Sequence, residues 1–441
     1  MSASGALPAE AARVDPASSL ALIECTSKIP SAARQPASET GSLAVLIFVC
    51  STAALLRLAV AGYFVFHYGV ARIYRGFESC SVAASIAGGH GFSSPYGIQS
   101  GPTAWLPPVY PALVAAVFKV FGIYSPASLG CLIVLNVLFA TLTTALIYRI
   151  GVRCFGTMAG FAAAVLWALD LVAIAFAVRL WESNLSALLV MLALLLHLRL
   201  SQSPASKREW ILYGLLWGFA GLTNTALLAL MPLSAAALLY HRGREFRRQA
   251  LIALAVFAAV LLPWSIRNYV IFHKVMPVRG NFGPELWYGN HPGVTGPADE
   301  SRGPTHNSQE LQAYLAMGDA RYCASRQQMA LDFIGHDPSQ FARLTGARIA
   351  NFWTASETYG LVWRTCLSLL AFAGLFLMWR NGIAGVAVFA SALFLFPLPY
   401  YVTHSESFYR HPIEPLLALL VAYAGVELLR LPGKNRSPNL P

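Results

Sequence analysis

Charge is what this sequence lacks most. Of its 441 residues 56% are hydrophobic and only 12% are charged, against about 25% in an average soluble domain. That balance excludes a water-soluble globular protein. Acids are scarcest in the first two thirds: between residues 40 and 280 there are five carboxylates, Glu78 among them. Pairing motifs for cysteine are also absent. The seven cysteines (25, 50, 80, 131, 154, 323, 366) form no CxxC, which argues against a metal site and against a disulfide framework. A Cys80–Cys323 bridge stays open, since sequence fixes no distance. Ten histidines show no HExxH-type spacing, so no dedicated metal site and no required cofactor are expected, with divalent-metal dependence left open. There is no P-loop, no GxGxxG after a strand, no GxSxG and no internal repeat. Residues 1–41, rich in Ala, Ser and Pro, lack the basic–apolar–cleavage order of a signal peptide and read as a disordered cytoplasmic tail.

What is present is a series of long apolar runs. Several exceed the roughly 18–20 residues a helix needs to cross a bilayer, so the chain is expected to be an all-α polytopic membrane protein. Candidate crossings are 42–66, 126–148, 157–179, 183–200, 209–223, 225–240, 249–271, 361–379, 383–402 and 412–430, about 10 in all. The pair 209–223 and 225–240, separated by Asn224, reads as half-helices meeting near one surface. The net charge of +11 does not imply nucleic acid, because the Lys and Arg residues sit mostly in short loops. Arg149 and Arg153, Arg199, Lys207 and Arg208, HRGREFRRQ and the C-terminal LLRLPGKNR mark cytoplasmic turns. Both termini are then cytoplasmic, and a bacterial cytoplasmic membrane is expected. The organisation is a tail, a transmembrane module over 42–271 with a first outer loop at 67–125, a second outer loop at 272–360 with amphipathic helices, transmembrane helices over 361–430, and a tail at 431–441. WLPPVYPALVAAVFKVFG, over 105–122, carries three early prolines and Lys119 and is placed as an interfacial helix.

Four stretches carry chemistry. In GFESCSVAASIAGGH, Glu78, Ser81 and Ser85 share one helix face. Glu78 is either a helix-start carboxylate favoured by the helix dipole or a base with a pKa raised by low-dielectric surroundings. GPTAWLPPVYP is either a rigid loop or a wall of an outward cavity. In WSIRNYVIFHKVMPVRGNFGPELWYGNHPG, the cations Arg267, Lys274 and Arg279 suit a lipid phosphate or snorkel to headgroups. Asn281, Glu285, Trp287, Asn290 and His291 suit a sugar, with apolar faces and hydrogen-bonding edges. In HSESFYRHPIEP, Arg410 in an outer turn calls for a phosphate or a carboxylate partner. Arg57 inside the first crossing marks a site or a buried pair, with Asp170 as a possible partner.

The order of these pieces resembles the GT-C superfamily of membrane glycosyltransferases, and is similar to bacterial proteins of the dolichyl-phosphate-mannose–protein mannosyltransferase type (glycosyltransferase family 39-like). The resemblance spans roughly 42–430. It rests on GFESCSVAASIAGGHGF, LPPVYPALVAAVFKVFG, WESNLSALL, GLTNTALLALMP, RGNFGPELWYGN and YRHPIEP. It implies transfer of a sugar, with inversion, from a polyprenyl-phosphate donor to an unidentified acceptor on the outer face, with membrane lipids as the other partners. The first-loop acid, commonly Asp, is Glu78 here, and Ser79 and Cys80 supply no second acid beside it. By the same likeness Arg410 binds the donor phosphate, assisted by Arg267, Arg279 or Lys274. The sugar and acceptor set is His90, Trp105, Tyr110, Glu182, Asn281, Glu285, Trp287, Asn290, His291, Tyr409 and His411. A secondary transporter, which would show inverted repeats, and a non-catalytic membrane scaffold are the alternatives.

Overall fold

In lipid, an apolar chain satisfies its backbone only as helix or closed barrel, and this chain takes the first route. The computed structural model describes residues 39–73, 76–202, 206–242, 247–355 and 358–434. Most of the expected N-terminal tail, with Cys25, lies outside the described residues, as do 435–441 of the C-terminal tail. Among the described residues there are eighteen α-helices and no strand.

Helix α1 is Glu39–Tyr68, α2 Phe77–Ala87, α3 Val109–Phe121, α4 Pro126–Phe155, α5 Thr157–Leu169 and α6 Leu171–Ala175. Then follow α7 Ser183–Gln202, α8 Lys207–Thr223, α9 Met231–Arg242 and α10 Arg247–Phe272. The later segment holds α11 Phe282–Gly289, α12 Ser308–Met317, α13 Asp319–His336 and α14 Pro338–Thr354. The chain ends in α15 Gly360–Arg380, α16 Val386–Phe394, α17 Leu398–Val402 and α18 Glu414–Lys434.

Six helices are long and apolar enough to cross a bilayer: Leu43–Tyr68, Pro126–Phe155, Ser183–Ser201, Arg247–Phe272, Gly360–Arg380 and His411–Arg430. A seventh crossing results if Thr157–Leu169 and Leu171–Val178, bent by 50° at Asp170, act as one. The chain is an integral membrane protein. Three expected crossings do not form a single helix of spanning length. Segment 209–223 is the 17-residue α8. Segment 225–240 begins as a 3-10 turn, Thr225–Leu230, because Asn224 leaves helical geometry and caps Ala226 N at 3.0 Å. Segment 383–402 splits into α16 and α17 around Pro397 and Pro399, whose rings and missing N–H groups interrupt a helix. The 13-residue α3, about 20 Å long, is too short to span and packs on α2 and α4.

Local chemistry sets the helix starts. Ser125 accepts from Ser128 N at 3.0 Å, with Pro126 at the first position of α4. Ser206 and Glu209 form a reciprocal capping box on α8. Helices α4 and α5 cross closely where Gly151 meets Gly160: a Cβ on Gly151 would lie 2.5 Å from Gly160 Cα. The core beneath holds Trp167, Trp210, Trp217, Tyr148 and Leu194, all fully buried.

Arg57 is fully buried in α1. It does not pair with Asp170. Its guanidinium donates to Ala53 O (3.1 Å), Trp167 O (3.1 Å) and Ala168 O (3.3 Å). The break after α5 leaves those last carbonyls without helical partners, and they take the cation. Asp170 is occupied by Ala173 N and the Tyr359 hydroxyl. No disulfide joins Cys80 and Cys323, although both thiols are buried.

Candidate functional site

The two long inter-helix segments pack on each other at one end of the bundle. Buried Asp319 is the principal tie. It accepts from Thr103 Oγ1 (2.9 Å), Ala104 N (3.0 Å) and the Tyr314 hydroxyl (2.9 Å). Arg267 braces the same loop by donating to Thr103 O (2.6 Å) and Phe92 O (2.9 Å), and Gly280 N donates to Ala104 O at 2.7 Å. These bonds hold Trp105, Leu106, Pro107, Tyr110 and Pro111 as one wall of a cleft. The cleft contains ≈ 1290 Å³ free of protein atoms, open solvent included.

Glu78 reaches this cleft from the first turn of α2. The helix begins there because Gly76 adopts φ +52°, and no side chain fits: a Cβ would lie 2.3 Å from Leu180 O. That contact presses the start of α2 against the backbone leading into α7. Glu182, at the head of α7, therefore opens into the same cleft. Burial pushes both carboxyls up to about 7. Glu285 and Glu300 push Glu78 further up and Arg279 opposes them. Thr305 Oγ1 stands 3.5 Å from Glu78 Oε1.

In the same cleft, Arg279 donates to Glu285 Oε1 at 2.7 Å and is held by Asn281, whose amide also donates to that oxygen at 2.6 Å. His404 Nδ1 lies 3.2 Å from Glu285 O, and its Nε2 lies 2.7 Å from the Tyr409 hydroxyl. Tyr288, Tyr400, Asn224, His306 and Phe408 also line the cleft.

The cleft brings together Glu78, Trp105, Tyr110, Glu182, Arg279, Asn281, Glu285 and Tyr409 of the residues expected from sequence. Others stand elsewhere. Arg267 is spent on the loop carbonyls and on stacking over Trp264. Lys274 is nearest Ala320 O, at 3.4 Å. His90 is exposed at the end of α2. Trp287 is buried against His291, and His291 pairs with Asp299 at 3.1 Å. Buried Asn290 bridges Leu286 O, Val402 O and Arg348. His411 stacks on Phe176 and meets Asn184 Oδ1 at 3.2 Å.

Arg410, expected from sequence to hold the donor phosphate, is fully buried with a carboxylate partner. It donates to Glu414 Oε1 (2.7 Å) and Ser368 Oγ (2.8 Å). Glu414 also binds Arg364 at 2.7 Å. Together with Asp170 and Tyr359, Arg410 and Glu414 edge a second, mostly apolar groove lined by Leu166, Trp363, Leu367 and Leu417.

Sequence reasoning missed His404, Tyr288, Tyr400 and Thr305. The imidazole of HSESFYRHPIEP was the one available signal. Arg348, also missed, is buried with no acid partner among the described residues. It donates to Gly289 O, Tyr401 O and Val402 O, the carbonyl ends of α11 and α17, and so fixes the segment carrying His404.

Residues 106–266, from α3 through most of α10, match the family described as dolichyl-phosphate-mannose-protein mannosyltransferase. The fold is shared with solved archaeal oligosaccharyltransferase structures. The oligosaccharyltransferase of Archaeoglobus fulgidus in its apo form superposes with a TM-score of 0.52 at 12% identity, over 91% of this chain and 53% of that one. Oligosaccharyltransferase AglB from the same organism, in complex with an inhibitory peptide and a dolichol-phosphate, gives 0.53 at 13% identity, again over 91% and 53%. This chain thus spans about half the length of those enzymes. ArnT from Cupriavidus metallidurans bound to undecaprenyl phosphate also matches, with a TM-score of 0.33 at 13% identity over 88% and 81%. No curated protein sequence matches the chain. The matched family and the two oligosaccharyltransferase structures are glycosyltransferases, in agreement with the resemblance read from the motifs.

Proposed function

We propose that this chain is an inverting membrane glycosyltransferase that moves a sugar from a polyprenyl-phosphate donor to an acceptor hydroxyl, with Glu78 as general base. The cleft faces the outer side of a bacterial cytoplasmic membrane, with both termini in the cytoplasm and lipids surrounding the bundle. The observation that carries the reading is that Glu78 and Arg279 line one cleft, at the meeting of the two long segments, close enough for Arg279 to favour the ionised Glu78. The named relatives that bind dolichol-phosphate and peptide support a lipid-linked donor.

In this reading Arg279, rather than Arg410, takes the donor phosphate, because of the four cations expected there it alone lines the cleft. Glu78 accepts the proton of the attacking hydroxyl as that oxygen bonds to the anomeric carbon. The carbon–oxygen bond to phosphate breaks, its electron pair leaves with the polyprenyl phosphate, and the Arg279 guanidinium stabilises the departing charge. Glu182, Tyr409 and Asn281 hold the sugar and acceptor, with the Trp105 and Tyr110 rings as apolar faces. No group of three or more His, Cys, Asp or Glu side chains able to hold a metal occurs among the described residues, and the steps above use none.

The test is transfer by the purified protein in lipid nanodiscs, offered a panel of radiolabelled undecaprenyl-phosphate sugars and a membrane extract as acceptor source. Donor-dependent label transfer that Glu78→Gln abolishes is the expected result. Transport of a soluble solute without any lipid-linked donor, together with no label transfer, would overturn the reading.

A further inference from the structure

Glu285, His404 and Tyr409 all line the cleft and are joined by one chain of contacts. His404 is buried between the Tyr288 and Tyr409 rings, both meeting it edge-on. Its Nδ1 faces two oxygens of Glu285, the backbone carbonyl at 3.2 Å and carboxylate Oε2 at 3.5 Å. Both can only accept. The other carboxylate oxygen is already taken by Arg279 and Asn281, which keeps Oε2 turned toward the imidazole. Nδ1 therefore carries the ring hydrogen, and in the neutral ring Nε2 offers only its lone pair. Tyr409 Oη sits 2.7 Å from that lone pair, so the phenol is the donor in this bond.

The consequence lies on the cleft side. A phenol has a single hydrogen, and Tyr409 spends it on His404. What it offers a ligand is oxygen lone pairs. We propose that His404 is a positioning residue, locked by Glu285, that makes Tyr409 a hydrogen-bond acceptor for a hydroxyl or amine hydrogen of the bound sugar. The inference rests on the glycosyltransferase reading and deepens it. A phosphate presents acceptor oxygens and gains nothing from such a Tyr409, whereas a sugar ring presents donors. The chain Arg279–Glu285–His404–Tyr409 thereby divides the cleft into a phosphate end and a sugar end. Burial raises the Tyr409 phenol well above its ordinary range, which keeps the hydrogen in place.

The experiment compares dissociation constants in nanodiscs for undecaprenyl phosphate alone and for the tightest-binding member of a panel of undecaprenyl-phosphate hexoses and pentoses. One neutral hydrogen bond corresponds to roughly a three- to tenfold ratio. Tyr409→Phe and His404→Leu are each expected to cut the preference for the sugar-bearing lipid by about that factor, with bare undecaprenyl phosphate bound as before. The double variant is expected to be no worse than Tyr409→Phe alone. His404→Gln, whose amide oxygen still accepts from the phenol, is expected to restore most of the preference. Should His404→Leu fail to fold, Tyr409→Phe and His404→Gln carry the test. A wild-type preference in Tyr409→Phe, or additive losses in the double variant, overturns the positioning role while leaving the transferase intact. Absence of both sugar preference and transfer in the wild-type protein overturns the glycosyltransferase reading itself, and this inference with it.

Discussion

Replacing Glu78 by Gln removes a proton acceptor while keeping the side chain's length and its place on α2. A positioned general base contributes about 10²–10⁴ in rate, or roughly 3–5 kcal/mol of barrier. Burial has pushed the Glu78 carboxyl up to about 7, so the wild-type enzyme should follow an acid limb: kcat/KM rising about tenfold per pH unit below 7 and levelling above it. The assay is label transfer from the undecaprenyl-phosphate sugar across pH 5–9, with donor affinity measured in parallel. Glu78→Gln should lose about 10²–10⁴ in kcat with little change in donor dissociation constant, and its residual rate should no longer show the limb. Glu78→Asp keeps the base but withdraws it by one methylene, and a misplacement of about 1 Å costs on the order of 10²-fold. The sign for stability is opposite to that for activity. An acid whose native pKa is raised stabilises the fold while it is protonated and loses that contribution as pH rises through 7. At pH 8 Glu78→Gln should therefore melt higher than wild type. Full activity in Glu78→Gln at pH 7.5, or an unaltered acid limb, would refute the base assignment.

Arg279→Ala should weaken binding of undecaprenyl phosphate by about 10- to 100-fold, the scale of a charge-assisted contact. The acid limb should also move to higher pH, because Arg279 favours the ionised Glu78. Glu182→Gln should retain transfer with a limb displaced to lower pH, since the two acids are electrostatically coupled and removing one negative charge favours ionisation of the other. A superimposable pH profile would uncouple them. Arg410→Ala should cost about 3 kcal/mol of stability by leaving Glu414 with one cation instead of two, seen as a lower melting temperature in detergent. A large loss of donor affinity in a well-folded Arg410→Ala would return that arginine to the site. Exhaustive treatment with a chelator should leave transfer unchanged, and restoration of a lost rate by added Mg²⁺ or Mn²⁺ would contradict the metal-free steps.

The helical membrane architecture was legible because apolar run length is a direct consequence of bilayer thickness. The breaks in the runs were less legible. Asn224 reads as a separator and the structure uses it so. In contrast, the Pro397 and Pro399 pair that divides 383–402 was absorbed into one crossing. The cations were the hardest to place. A sequence displays an arginine but not the carbonyls that surround it. Arg57, Arg267 and Arg348 are each satisfied by backbone oxygens at helix breaks or in loops, partners that carry no residue-type signature. Arg410 has its acid four residues away at Glu414, a helical i,i+4 spacing; the residues left a phosphate and a carboxylate both open as its partner, and the structure takes the carboxylate.

Acids behave differently. Where carboxylates are this rare, one on a short helix just past the first membrane segment is conspicuous, and Glu78 stood out for that reason. The apparent departure at Ser79 and Cys80, with no second acid beside the first, dissolves in three dimensions. Gly76 can approach Leu180 only because it has no Cβ, and this approach brings the heads of α2 and α7 together. Glu182 thereby joins Glu78 from more than a hundred residues further along the chain. A pair that a motif supplies from adjacent positions is supplied here by packing. Both carboxyls pay the same desolvation, and each raises the other's cost of ionising. Glu182 therefore lines the same cleft as the proposed base, and burial pushes both carboxyls up to about 7.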